Sequence, residues 1–118
     1  MKTIKFTKLE RQELEVLQDE LDKYRHIQSL GLCFWSIDEF LNALLAIDIS
    51  LQIWLQLRKK IESDSNTFNL SFKVNEAVII MKCCYWQRAA RTDYQKLVAE
   101  KFKNGIDKEL KSYIPTEQ

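Results

Sequence analysis

Apolar residues recur along this chain at two spacings, and the change of spacing marks where one element should give way to another. Leu14, Leu17, Leu21 and Tyr24 follow at intervals of three and four, the repeat of a single helix face. Ile27 and Leu30 extend the stripe. Gly31 is placed to end it, because glycine enters the left-handed cap without steric cost. "TKLE", Thr7 to Glu10, fits a capping box that would start this helix. A second box, "SIDE" from Ser36 to Glu39, opens a longer run, with Trp35 and Phe40 at the two positions of a hydrophobic staple. That run predicts a helix to about Ile61. A third helix is expected to begin near Asn75, with Val74 and Ile79 as its staple, and it is apolar on most sides until Gln87. "TDYQ", Thr92 to Gln95, caps a fourth. Tyr94, Val98 and Phe102 lie on one face of it, and Ile106, Leu110 and Tyr113 continue that face past Gly105. Gly105 is therefore expected inside the helix, at a cost of about 1 kcal/mol relative to Ala. Residues 115–118 read as a flexible tail.

Between the second and third helices the spacing falls to two. Phe68, Leu70, Phe72 and Val74 alternate with Asn69, Ser71 and Lys73, which is the signature of a strand. A strand needs a partner for its backbone groups. The remaining candidate is the N-terminal stretch containing Ile4 and Phe6, so a two-stranded ribbon between residues 2–6 and 68–74 is expected. The same stretches are weakly similar to each other. Ile4 aligns with Leu70, Phe6 with Phe72, Glu10 with Glu76 and Leu14 with Ile80, and a true repeat would make two strand–helix–helix halves.

Two Gly and one Pro in 118 residues are too few for a hairpin-rich fold. The expectation is one domain over residues 1–118: an all-α, compact, four-helix bundle-like domain, with the ribbon as its one β feature.

The second helix does not fit a simple two-sided pattern. On a helical wheel Phe40, Leu44, Ile47, Leu51 and Trp54 form the obvious core face, opposite Asp38, Asn42, Gln52, Gln56 and Lys60. Yet Leu45, Ala46, Ile49 and Ile53 fall among those polar residues, and Leu57 sits at their edge. So much apolar circumference is hard to cover in a short chain. Leu45, Ile49, Ile53 and Leu57 are therefore the expected interface residues, meeting a second copy or another protein. Asp48, at the flank of the core face, reads as a solvated carboxylate.

Charge adds a second class to consider. The chain has a net charge of +1, unlike a strongly basic nucleic-acid binder. Residues 1–65 hold nine Lys/Arg against eleven Asp/Glu, and residues 72–111 hold nine against five. The basic 82–111 region, with Lys82, Arg88 and Arg91 beside Tyr85 and Trp86, makes a nucleic-acid-binding accessory protein the alternative reading. The charged N-terminus lacks the apolar core of a signal peptide. Asp48 argues against residues 40–57 as a membrane span, since a mid-bilayer Asp costs roughly 2.5–3.5 kcal/mol.

Cys33, Cys83 and Cys84 are an odd number with no secretion signal, which suits a reducing cytoplasm. Buried thiols of this kind act as small hydrophobes. One His and no C-x-x-C make no zinc pattern, and two isolated glycines make no phosphate loop. No cofactor, metal or small-molecule substrate is expected. The sequence therefore points to a small cytoplasmic, non-enzymatic protein–protein interaction module, of adaptor, inhibitor or immunity type, that self-associates as a homodimer or binds another protein.

Overall fold

The computed structural model describes residues 3–30, 36–86 and 90–111. Its elements run β1 (Ile4–Glu10), α1 (Arg11–Leu30), α2 (Ile37–Ile61), β2 (Thr67–Phe72), α3 (Val74–Tyr85) and α4 (Asp93–Leu110). The expected roles of Gly31, Cys33, Trp35, Arg88, Tyr113 and the 115–118 tail lie outside the described residues.

The ribbon is present and longer on its first strand than the sequence indicates. β1 and β2 pair antiparallel, with Ile4 opposite Phe72, Lys5 opposite Ser71 and Phe6 opposite Leu70. The register then slips, and Leu9 faces Phe68. Thr7 and Lys8 together oppose Asn69, which makes a β-bulge. Lys8 takes a left-handed φ of 56° there, and its backbone N–H donates to Asn69 Oδ1 at 3.2 Å. The bulge corrects one expectation: Thr7 to Glu10 is strand, not a capping box. Helix α1 begins at Arg11, and Glu13 Oε1 accepts the Glu10 N–H at 2.9 Å.

Helix starts elsewhere follow local chemistry closely. Ser36 caps α2 by accepting from the Glu39 N–H at 3.3 Å. The Thr92–Gln95 box is reciprocal, with bonds of 3.1 and 2.8 Å. At α3 the cap is Lys73 rather than Asn75, and Glu76 Oε1 accepts the Lys73 N–H at 2.8 Å.

Element order makes two successive strand–helix–helix units. Exchanging Ile4 with Leu70 and Phe6 with Phe72 carries the pair Ile4–Phe72 onto Leu70–Phe6, so this part of the ladder maps onto itself about Lys5–Ser71. The helices correspond too, but one turn away from the sequence alignment. Counted from the Glu10 and Lys73 caps, Leu14 matches Ala77, Leu17 matches Ile80, Glu20 matches Cys83 and Leu21 matches Cys84, all buried. The offset arises because β1 continues past Phe6 through the bulge to Glu10, whereas Lys73 alone separates Phe72 from α3.

Packing runs mainly between α1 and α2 and between α3 and α4, with α3 also meeting α2 and α1. The inner face of the ribbon closes one side of the core through Ile4, Leu9, Leu70 and Phe72. Phe6 rests on Phe102, ring centroids 4.9 Å apart, and against Phe72 edge-on at 6.2 Å. A Cβ on Gly105 would come within 2.6 Å of the Phe6 ring, so α4 keeps glycine there to let the ribbon approach.

Two carboxylates tie the halves together. Glu20 is buried against Arg91, whose Nε donates to Oε2 at 2.8 Å and Nη2 to Oε1 at 3.1 Å. Arg91 Nη2 also donates to the Cys83 carbonyl at 2.9 Å, near the end of α3. Glu13, besides serving α1, accepts from Lys101 Nζ of α4 at 2.6 Å.

Candidate interaction face

Helix α2 meets the rest of the fold through Ala43, Ala46, Ser50, Ile53 and Leu57, a repeat of three and four along one side. Small side chains at the first three positions let α2 lie close to its neighbours. The Ser50 hydroxyl is satisfied within the helix, donating to the Ala46 carbonyl at 2.6 Å. Buried serine therefore costs this face little.

This contact reverses the wheel drawn from sequence. Ile53 and Leu57, two of the expected interface residues, are core residues with no exposed area. Ile49 is half-buried and packs against the same core. Only Leu45 stands out in solvent, 61% exposed. Of the supposed core face, Leu44 and Leu51 are exposed, and Phe40, Ile47 and Trp54 are half-exposed. The physical reason is size. The wheel took the bulkiest stripe for the core, whereas the fold buries the stripe whose alanines allow close helix approach.

What remains outside is an apolar side broken once, at its middle. Ile37, Leu41, Leu44, Leu51 and Leu55 share a 3–4 spacing opposite the core stripe, and all are exposed. Asp48 occupies the middle of that spacing, exposed, and accepts from Gln52 Nε2 at 2.9 Å. The ends differ in charge: Asp38 and Glu39 lie in the first turn, and Arg58, Lys59 and Lys60 in the last. Among the described residues α2 is long and apolar enough to cross a membrane by length and composition, with 28% of its most apolar window buried.

Of the basic constellation named as the alternative, Lys82 and Arg91 are described. Arg91 is committed to Glu20, which holds its guanidinium above the ordinary range by hydrogen bonding. Lys82 is exposed on α3. Arg88 lies outside the described residues.

The surface also carries clefts. One, of about 660 Å³, is lined by Asp22, Arg25, His26, Ile27, Ile47 and Trp86 among others. Arg25 is paired there with Asp22 at 2.5 Å. Cys83 and Cys84 are buried free thiols, and burial pushes both up, Cys84 to about 12. They are protonated and poorly nucleophilic at neutral pH. Among the described residues no group of His, Cys, Asp or Glu is placed to hold a metal ion.

No protein-family model matches the chain, and no curated protein or solved structure matches it.

Proposed function

We propose that this chain is a non-enzymatic interaction protein that self-associates through the exposed apolar side of α2. The observation carrying this reading is the stripe Ile37, Leu41, Leu44, Leu51 and Leu55, exposed on either side of Asp48 from the first turn to Leu55 while α2 is anchored by its opposite side. Isolated exposed leucines need no explanation, but five large apolar side chains on one side of a helix do. A 3–4 repeat facing outward is the pattern by which one helix packs along another.

Charge favours a second copy in the antiparallel sense. A parallel pair would set acidic end against acidic end and basic end against basic end, whereas Asp48, at mid-length, comes near its own copy in either sense. An antiparallel pair brings Asp38 and Glu39 of one copy toward Arg58 and Lys59 of the other, and it opposes the helix dipoles favourably. It also makes the interface isologous, the usual basis of a closed dimer. A membrane is the weaker occupant for this side, because α2 lies along the fold through Ile53 and Leu57 and carries Asp48 at mid-length.

A charge swap tests the reading. Asp38→Lys and Lys59→Asp each weaken self-association, and the double variant restores it, although each change opposes the α2 dipole on its own. Flotation with neutral lipid vesicles leaves the protein unbound. A monomer that floats with the vesicles would transfer this side of α2 to a lipid surface.

A further inference from the structure

The ribbon has a second open surface, and its chemistry differs from that of α2. Residues alternate along both strands, so the apolar set faces the core while Lys5, Thr7, Asn69 and Ser71 face solvent. Lys8 projects at the bulge, and Lys73 continues the outward set beyond β2. Lys60, from the end of α2, lines one cleft with Lys5, Thr7, Asn69 and Ser71.

What sets these lysines apart is their grouping around one ribbon; Lys59, Lys82, Lys96 and Lys108 likewise lack a salt bridge among the described residues but lie elsewhere. Lys23, Lys101, Lys103 and Lys111 each pair with a carboxylate. Lys5, Lys8, Lys60 and Lys73 have no acidic partner among the described residues. Glu10 is the one carboxylate of the outward set on the strands, and it sits at the opposite end of β1 from Lys5. A chain of almost neutral net charge thus groups four lysines without a salt bridge among the described residues on one face, interleaved with hydroxyl and amide groups.

We propose that this open ribbon face binds duplex DNA by entering the major groove. The groove is roughly 12 Å wide and admits a two-stranded antiparallel ribbon with its side chains. Lysines at the rim of the ribbon reach phosphates on either side, and Asn69, Ser71 and Thr7 meet base edges between them. Asn69 spends its Oδ1 on the Lys8 amide and keeps its NH₂ group as a donor. The ribbon is stiff, because Phe6, Leu70 and Phe72 clamp its inner side to the core. Duplex RNA is a poor fit, since its major groove is too deep and narrow for side chains to read. The two strands present different residues, Lys5 opposite Ser71, so one chain reads a non-palindromic site.

The test is fluorescence anisotropy with a mixed-sequence DNA duplex of about 20 base pairs at about 50 mM salt, where phosphate contacts are strongest. The wild-type chain binds, and log K falls with log salt at a slope near ~3.6 if four lysines meet phosphates. Lys5→Glu with Lys73→Glu lowers affinity about tenfold or more, and the neutral pair Lys5→Gln with Lys73→Gln reduces the slope by about 2. Lys96→Glu with Lys108→Glu, both exposed on α4, changes affinity less than about twofold. A monomeric α2 variant retains binding, which separates this inference from the self-association reading. Absence of DNA binding by the wild type, equal loss in the α4 control, or equal affinity for the same duplex as RNA would overturn the proposal.

Discussion

Arg91 grips Glu20 with two hydrogen bonds in a place where neither side chain has appreciable contact with water. Arg91 stands just before α4 and Glu20 is mid-way along α1, so the pair joins the two strand–helix–helix units. Breaking such a pair from one side strands the other charge in the core, at a cost of about 3–5 kcal/mol. Glu20→Gln or Arg91→Leu should therefore lower the urea midpoint sharply. The double variant Glu20→Leu with Arg91→Leu should recover a large part of the loss, because no lone charge remains. Additive losses would show that the pair is not a coupled unit.

Gly105 gives a prediction against helix propensity. Alanine in a helix interior is favoured by about 1 kcal/mol. Here the new methyl group meets the Phe6 ring, which Phe72 and Phe102 already confine. Overpacking of that kind costs roughly 1–3 kcal/mol. Thermal melts should show Gly105→Ala as less stable than the wild type, and Phe6→Leu should remove the penalty in that background.

Alkaline pH should weaken the fold for a specific reason. Burial raises the Cys84 thiol from 9.0 to about 12 and the Tyr24 phenol from 10.0 to about 12, with Glu20 and Cys83 respectively adding to the effect. Unfolded chains shed these protons earlier than folded ones. The corresponding stability is full below pH 9 and declines as pH climbs toward 12. Denaturation midpoints measured across that window should fall, and Cys84→Ala with Tyr24→Phe should flatten the decline.

Much of this architecture was legible in the residue pattern, and the failures at Thr7 and Arg91 share a cause, a partner remote in sequence. Ser36 and Thr92 cap helices where their boxes indicated, because capping depends on neighbours in sequence. The ribbon was legible from Phe68, Leu70 and Phe72 alternating against a chain that offered one partner. Thr7 misled because the bulge at Lys8, a left-handed residue without glycine, is stabilised by Asn69 from the other strand. Arg91 looked like a surface cation because its partner, Glu20, is remote in sequence.

The α2 face failed for a different reason. Hydrophobicity measures how much a side chain gains from burial, but close helix packing also rewards small side chains. Ala43, Ala46 and Ser50 carried that signal, set in the same 3–4 repeat as Ile53 and Leu57. The excess of apolar circumference was nonetheless real: it lies on Leu41, Leu44, Leu51 and Leu55 instead of Ile53 and Leu57.

Sedimentation equilibrium over a range of protein concentrations tests the self-association reading most directly. The wild-type chain should fit a monomer–dimer equilibrium, and Leu44→Asp with Leu51→Asp should be monomeric with an unchanged helical circular dichroism spectrum. Ile53→Asp, by contrast, should unfold the chain, because it buries an unpaired charge in the core. A wild-type protein that stays monomeric at every concentration, or a Leu44→Asp, Leu51→Asp variant that dimerises as tightly as the parent, would contradict the account.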